Sequence, residues 1–384
     1  MKKIIICITA RPSYSRIRNV ILALKAKSNV DVSVLASGSA LLDRYGRVVD
    51  LIRADGIDVI DELYTFVEGN ETINMALTTA ATISLTATVL TKLAPDLVVT
   101  IADRYETLGT AIASSYCGIP LVHIQGGEVT GNIDERVRHA VSKLADIHVV
   151  ANTTCEARIK QMGEHAATVF VSGCPSLDIV HESKLIPISK IKEAVKNFGV
   201  GSDIDISKPF VVLLQHPETE NYKESMNHMQ KTLKAIERLD LPCLIFWPNI
   251  DAGSDSKSKA IRISREKGML KNVRYIKNLN GDIFLALLNE SKCLIGNSSV
   301  GIRECSFMGV PVVNIGNRQL GRMKADNVKD SLWDTNAIFD AIQGQIKHGF
   351  YQSSSIYGDG KSGERIAELL SKDLKIFTKR FVDL

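Results

Sequence analysis

Short apolar runs rich in β-branched residues recur along the chain, each followed by a longer amphipathic stretch. Ile4–Ile8, Val32–Leu35, Leu97–Ile101, Leu121–Ile124, His148–Val150 and Thr168–Val171 read as strands in the first half. Phe210–Leu214, Cys243–Phe246, Val273–Ile276, Cys293–Ile295 and Val312–Ile315 repeat the theme in the second. Their cores are mostly apolar, which suits strands buried on both faces of a parallel sheet. Strand–helix alternation over the whole length predicts an α/β fold. The texture changes after Ser172-Gly173-Cys174-Pro175, where a polar helical connector, Ser183 to Asn197, precedes Gly199, Gly201 and a fresh strand behind Pro209. We therefore expect two doubly wound, Rossmann-like domains facing a cleft, residues 1–173 and 174–364. The amphipathic end, 365–384, could cross back onto the first.

Two stretches test that reading. The apolar run after Met1-Lys2-Lys3 stops at Ile8, too short for a secretory core, so a buried first strand is expected. Thr72 to Thr91 is the longest uncharged stretch, but its threonine content is too high for a bilayer span, so an internal helix is expected. The 47 basic and 43 acidic residues give a formal charge of +4 in mixed short clusters, an argument against nucleic-acid or membrane partners. Seven widely spaced cysteines without a C-x-x-C pair argue against a disulfide framework or structural zinc, and for a reducing, cytoplasmic setting.

In parallel sheets ligands bind beyond the carboxyl ends of strands, so the turns after strands carry the chemistry. None has the G-x-G-x-x-G pattern of a nicotinamide site. Arg11 follows the first strand, where a guanidinium could meet an anion. Gly296-Asn297-Ser298-Ser299 ends a strand and opens a helix, which suits a diphosphate; the alternative is an ordinary serine N-cap. Glu304 should lie about one and a half turns inside that helix, able to accept both hydroxyls of a ribose. Asp103 either faces the ligand or caps the next helix. Asp103, Glu128, Asp134, His123 and His139 lie on or near adjacent strand-end loops, a grouping suited to proton transfer. Gly126-Gly127 could let backbone approach a ligand. No H-E-x-x-H or paired-histidine spacing supports a metal, and none is expected. His216 ends a strand ahead of Pro217, and Trp247-Pro248-Asn249-Ile250-Asp251 ends the next.

Together, Arg11 to Ser15, Asp103-Arg104, HIQGGEVTGNIDERVRHA (123–140), QHPET (215–219), PNIDAGSD (248–255), GNSSVGIRE (296–304) and GNRQLGR (316–322) resemble the hydrolysing UDP-N-acetylglucosamine 2-epimerases of sialic acid synthesis. The resemblance covers bacterial enzymes and the epimerase half of the animal epimerase–kinase. It implies a fold like the B-type glycosyltransferases, a UDP-sugar substrate, no cofactor, and a homodimer or homotetramer. It also implies that UDP is held by Arg11, Ser15, Arg104, Ser298, Ser299, Glu304 and Arg318. Asp103, Asp134, Gln125, Glu128 and His216 would serve the chemistry, with Asn249 and Asp251 nearby. The sequence departs from the family twice: Ile101-Ala102-Asp103-Arg104 stands where many members read His-Gly-Asp-Arg, and Gln125 replaces the glutamate of HIEGGE. Those departures leave room for a di-acetamido sugar nucleotide as substrate, for a glycosyltransferase of the same architecture, or for a non-catalytic nucleotide-sugar binder.

Overall fold

The computed structural model describes residues 1–43, 46–69, 71–248 and 252–381. The chain divides into two compact units. The first comprises 1–128, 133–178 and 357–384, and the second 129–132 and 179–356.

The first unit is built on a seven-stranded parallel sheet: β1 (Lys2–Ile8), β2 (Val30–Ser37), β3 (Val59–Leu63), β4 (Leu97–Ile101), β5 (Leu121–Ile124), β6 (Ile147–Val150) and β7 (Val169–Val171), in the order 3-2-1-4-5-6-7. The unbroken apolar run of β1 follows from burial on both faces. Ile4, Ile6 and Ile8 pack with Ile17, Ile21 and Leu24 of the helix Arg11–Lys25, whereas Ile5 and Cys7 pack with Leu90 and Val98 on the other side.

The second unit repeats the plan with β8 (Gly199–Gly201), β9 (Val211–Leu214), β10 (Cys243–Phe246), β11 (Val273–Ile276), β12 (Leu294–Gly296), β13 (Val312–Ile315) and β14 (Val328–Ser331), ordered 14-13-12-9-10-11-8. Only β8 runs antiparallel among the described pairings. Val212, Leu244 and Ile276 face one core, and Val211, Leu213 and Ile245 the other. Both units are doubly wound α/β layers.

Several expectations need correcting. The first unit extends to Asp178, not residue 173, because the Asp178 carboxylate accepts the amides of Ser362 (2.9 Å) and Gly363 and so ties on the helix Ser362–Leu370. The return accordingly begins at Tyr357, not residue 365, and Ile366, Ala367 and Leu370 enter the first core. Past Leu370 the described residues are not helical. The helix Thr72–Leu93 is long and apolar enough to cross a membrane by length and composition, but it is not internal. Its Thr78, Thr82, Thr86 and Leu90 stripe is buried, while Ile73, Leu77 and Leu85 are exposed. None of the seven cysteines is in a disulfide, and six are buried.

A sheet of this kind has one place where strand order reverses, and ligands bind beyond the carboxyl ends there. In the first unit that place lies between β1 and β4, and in the second between β12 and β9. The turns that carry Arg11, Asp103, Ser298 and His216 follow those four strands.

Candidate active site

At the end of β4 the chain is bent through Ala102 at φ +69°, and at the end of β5 through Gln125 at φ +69°. Positive φ on a residue with a Cβ is strained, and such strain tends to cluster at functional sites. Here the backbone is held by strand-to-strand bonds, Ala102 N to Ile124 O and Gln125 N to Val149 O, both 2.9 Å. The bend at Ala102 brings Asp103 onto Arg138 of the helix Asp134–Leu144. Arg138 donates to Asp103 through Nε (3.2 Å) and Nη2, to the Glu128 carbonyl (2.9 Å) and to Glu135 Oε2 (2.8 Å). Its side chain is 1% exposed, and although burial opposes its charge, Asp103 and Glu128 outweigh that and raise its pKa. Asp103 is thus ion-paired, and the next helix has no side-chain cap. Sequence reading missed Arg138 as a member of the site.

His123 belongs to the scaffold, not to proton transfer. Its Nε2 meets the Ala102 carbonyl at 2.8 Å and must donate, so Nδ1 accepts from Ser142 Oγ at 3.0 Å. Burial pushes its pKa down to about 4, so the ring is neutral at physiological pH. His139 is paired with Glu135 at 2.9 Å. The glycine pair also serves packing: a Cβ on Gly127, at φ +74°, would fall 2.4 Å from the Cys155 carbonyl oxygen. Asp134 is the first residue of its helix and is half-buried, and Glu128 is buried. Gln125 is buried too; its Nε2 donates to Cys174 Sγ (2.8 Å), while its Oε1 has no partner among the described residues.

Arg11 and Ser15 occupy the first turn and a half of the helix that follows β1. Arg11 is half-buried with no hydrogen bond or ion pair among the described residues, and burial lowers its pKa to about 10, leaving it charged. A partly desolvated cation of this kind is poised for an anion. Arg104 differs, because its guanidinium already lies against the fully buried Glu106 at 3.2 and 3.3 Å.

In the second unit Asn297 laces the ends of β9 and β12. Its Oδ1 accepts the His216 amide (2.7 Å), and its Nδ2 donates to the His216 carbonyl (3.0 Å). Ser298 is the N-cap of Ser299–Ile302, accepting from Val300 N at 3.5 Å, and Ser299 Oγ accepts from Arg303 at 2.9 Å. The expected continuous helix breaks at Arg303 (φ −104°, ψ −70°), so Glu304 opens a second short helix, Glu304–Met308. Two helices of four and five residues carry little macrodipole, so the donors this turn offers are its amides and hydroxyls. Glu304 is 7% exposed, and its Oε2 is buried without a hydrogen-bond partner among the described residues. Arg318 Nη1 donates to the Asn297 carbonyl at 3.3 Å, bringing the ends of β12 and β13 together. Its turn is held by Glu218, whose Oε1 accepts the amides of Asn317 (2.6 Å) and Arg318 (3.2 Å). Sequence reading passed over Glu218 inside QHPET. Asn249 and Asp251 lie outside the described residues. Among the described residues no group of three or more His, Cys, Asp or Glu is placed to hold a metal.

A family model described as UDP-N-acetylglucosamine 2-epimerase matches residues 22–371. A UDP-N,N'-diacetylbacillosamine 2-epimerase (hydrolyzing) of Legionella pneumophila is 32% identical over 370 residues, covering 96% of each chain. A UDP-N-acetylglucosamine 2-epimerase of Neisseria meningitidis is 27% identical, covering 100% of this chain and 99% of that one. Among solved structures, UDP-GlcNAc 2-epimerase from Neisseria meningitidis, bound to UDP-GlcNAc, aligns with a TM-score of 0.80 at 20% identity, covering 97% of this chain and all of that one. The Methanocaldococcus jannaschii enzyme in complex with UDP-GlcNAc and UDP also aligns at 0.80, with 16% identity, covering 96% of this chain and 99% of that one.

Proposed function

The chain belongs to the UDP-N-acetylglucosamine 2-epimerase family, and from that premise we propose that it is a hydrolysing 2-epimerase. It converts UDP-N-acetylglucosamine and water to N-acetylmannosamine and UDP, for sialic-acid-type sugar synthesis. The observation that carries this reading is the orphaned, buried carboxylate oxygen of Glu304, on the segment that opens with Ser298 and Ser299. An unpaired buried acceptor is costly, and the two hydroxyls of a ribose would satisfy it. Within the first unit, Arg11, which has no polar partner among the described residues, and Ser15 and Arg104 are donors suited to a phosphate group.

The chemistry needs a base for the weakly acidic C2–H, stabilisation of the leaving UDP, and an acid on the opposite face. A carboxylate takes the C2 proton; the C2–H electrons form the C1–C2 double bond as the C1–O bond breaks and UDP departs with that pair. Water then adds its oxygen to C1 of the glycal, giving up one proton to a carboxylate, and C2 receives a proton from an acid on the other face. Asp103, held by Arg138, and Asp134, Glu128 and His216 are the proton-carrying groups of this reading. Gln125 cannot carry a proton. With Nε2 committed to Cys174, its Oε1 offers an acceptor to the acetamido N–H or to water.

A second reading keeps the chemistry and changes the sugar. The Legionella relative, whose name specifies a di-acetamido substrate, supports a UDP-sugar with an acetamido group at C4. Proton NMR in deuterium oxide with each substrate separates the two. The expected result is free UDP and a C2-inverted free sugar carrying deuterium at C2. Retention of the C2 proton would overturn the elimination, and sugar transfer to an acceptor or no turnover would favour a glycosyltransferase or a binding protein. The reading includes a cytoplasmic homodimer or homotetramer, for which sedimentation equilibrium is the test.

A further inference from the structure

Lys257 lies on the first turn of the helix Ser254–Glu266, and it is fully buried. Its ammonium has no hydrogen-bond acceptor among the described residues and faces the Trp333 ring, 5.1 Å from the centroid. A buried cation is retained only where a counter-charge or a ligand compensates it. The nearby anion is Glu218, 4% exposed, which also accepts from Trp333 Nε1 at 3.4 Å. Glu218 reaches beneath the turn at Gly316, where φ is +79° and a Cβ would fall 2.4 Å from its Oε1. One carboxylate thus binds the indole and the two amides of the turn that carries Arg318.

We propose that Lys257 is a positioning residue for the nucleotide diphosphate: its ammonium balances Glu218, Glu218 clamps the 316–318 turn, and the turn aims Arg318. The inference rests on the UDP reading above. Without that counter-charge the buried Glu218 carboxylate is left uncompensated and holds the 316–318 turn less firmly. Burial lowers the Lys257 pKa to about 7, with Glu218 opposing and Arg318 adding to that shift. The other titratable group beside it is His228, stacked on Trp333 at 4.0 Å and brought down to about 4, chiefly by burial and then by Lys257. Glu224 and Lys231 act on His228 from beyond. His228 is therefore neutral wherever Lys257 titrates.

The test is UDP affinity by calorimetry, with uridine measured by competition, across pH. Lys257→Met should weaken UDP roughly tenfold, the scale of one well-placed hydrogen bond, and leave uridine unchanged. Lys257→Arg should restore most of the affinity. UDP affinity of the native protein should fall as pH rises through about 7, where Lys257 loses its proton. Lys257→Met should remove that dependence, and Lys257→Arg should move it to higher pH; the ligand's own ionisation is common to all three. Equal weakening of uridine and UDP, or unchanged UDP binding, would overturn the inference. Should Lys257→Met fail to fold, identical pH profiles for the native protein and Lys257→Arg would overturn it equally. Failure of the native protein to bind UDP, or unchanged UDP binding in Glu304→Ala, would instead strike the functional reading.

Discussion

Replacing Arg138 with methionine removes the guanidinium around which Asp103, Glu135 and the Glu128 carbonyl are gathered, while keeping a long apolar stem. Removing one partner of a buried ion pair costs about 3–5 kcal/mol. Two features lower that here: Asp103 is 15% and Glu135 29% exposed, so water can reach the abandoned carboxylates, and the variant escapes the desolvation of Arg138 itself. We expect a loss of about 2–3 kcal/mol in the stability of the first unit, read from urea unfolding at neutral pH. Arg138→Lys keeps the charge but not the fork that spans Asp103 and Glu128, so it should fall between the two. Activity separates organisation from stability. A mispositioned Asp103 should lower kcat by roughly 10²-fold, the lower end of a general acid–base contribution, while UDP affinity stays unchanged. Full kcat in a folded but destabilised Arg138→Met would refute the catalytic placement of Asp103 and leave the ion pair a strut.

Glu304→Ala should weaken UDP binding by about 1.5–3 kcal/mol, the scale of hydrogen bonds to a charged group, and calorimetry showing no change would remove Glu304 from the nucleotide site. Gln125→Ala should cost roughly tenfold in kcat, or about 1.4 kcal/mol for one hydrogen bond; a gain of roughly 10²-fold in Gln125→Glu would show that a proton-carrying group is missing at that position. Glu164 supplies a pH dependence: burial opposes its charge, but hydrogen bonds from His148, Lys143 and Lys379 outweigh it and hold the carboxyl down at about 2. A depressed carboxyl pKa adds stability above the unfolded value that is lost as pH falls through the folded one. Glu164→Gln should therefore be less stable at neutral pH by up to about 3 kcal/mol, a gap that closes between about pH 4.5 and pH 2 in chemical unfolding.

The central strands were legible because burial on both faces leaves an apolar run, as in β1, β9 and β10, and those runs needed no partner to be identified. The three strands that escaped notice are all sheet edges, whereas the fourth edge, β7, was legible from its apolar Val-Phe-Val. β3 reads Val-Ile-Asp-Glu-Leu, β8 is Gly-Val-Gly, and β14 carries Lys329 and Asp330. An edge strand is paired on one side only, so charge is tolerated there and protects against further pairing. Its sequence then looks like a loop. The break at Arg303 was hidden for a different reason: Ser-Val-Gly-Ile-Arg-Glu contains no proline to mark it, and the Arg303 side chain turns back locally onto Ser299.

The candidate motifs were legible where a polar group follows a buried strand directly, as Asp103 follows β4 and Ser298 follows β12. What stayed hidden were the cations and carboxylates that hold those groups, because their partners lie 35 residues away for Arg138 and Asp103, and 100 for Glu218 and Arg318. A signal existed nonetheless. In the helix Asp134–Leu144 the buried positions are Val137, Arg138, Val141 and Ser142, and in Ser254–Glu266 they are Lys257, Ala260, Ile261 and Ser264. Both patterns follow the spacing of a helix face turned to the core, with a basic residue standing at an apolar position. A lysine or arginine on the outer face is ordinary, whereas one in phase with the buried stripe must be compensated from elsewhere in the fold. In each unit that compensation is a carboxylate at the carboxyl end of the sheet, Asp103 and Glu218, so a base in phase with the buried stripe points to a carboxylate beyond a strand end.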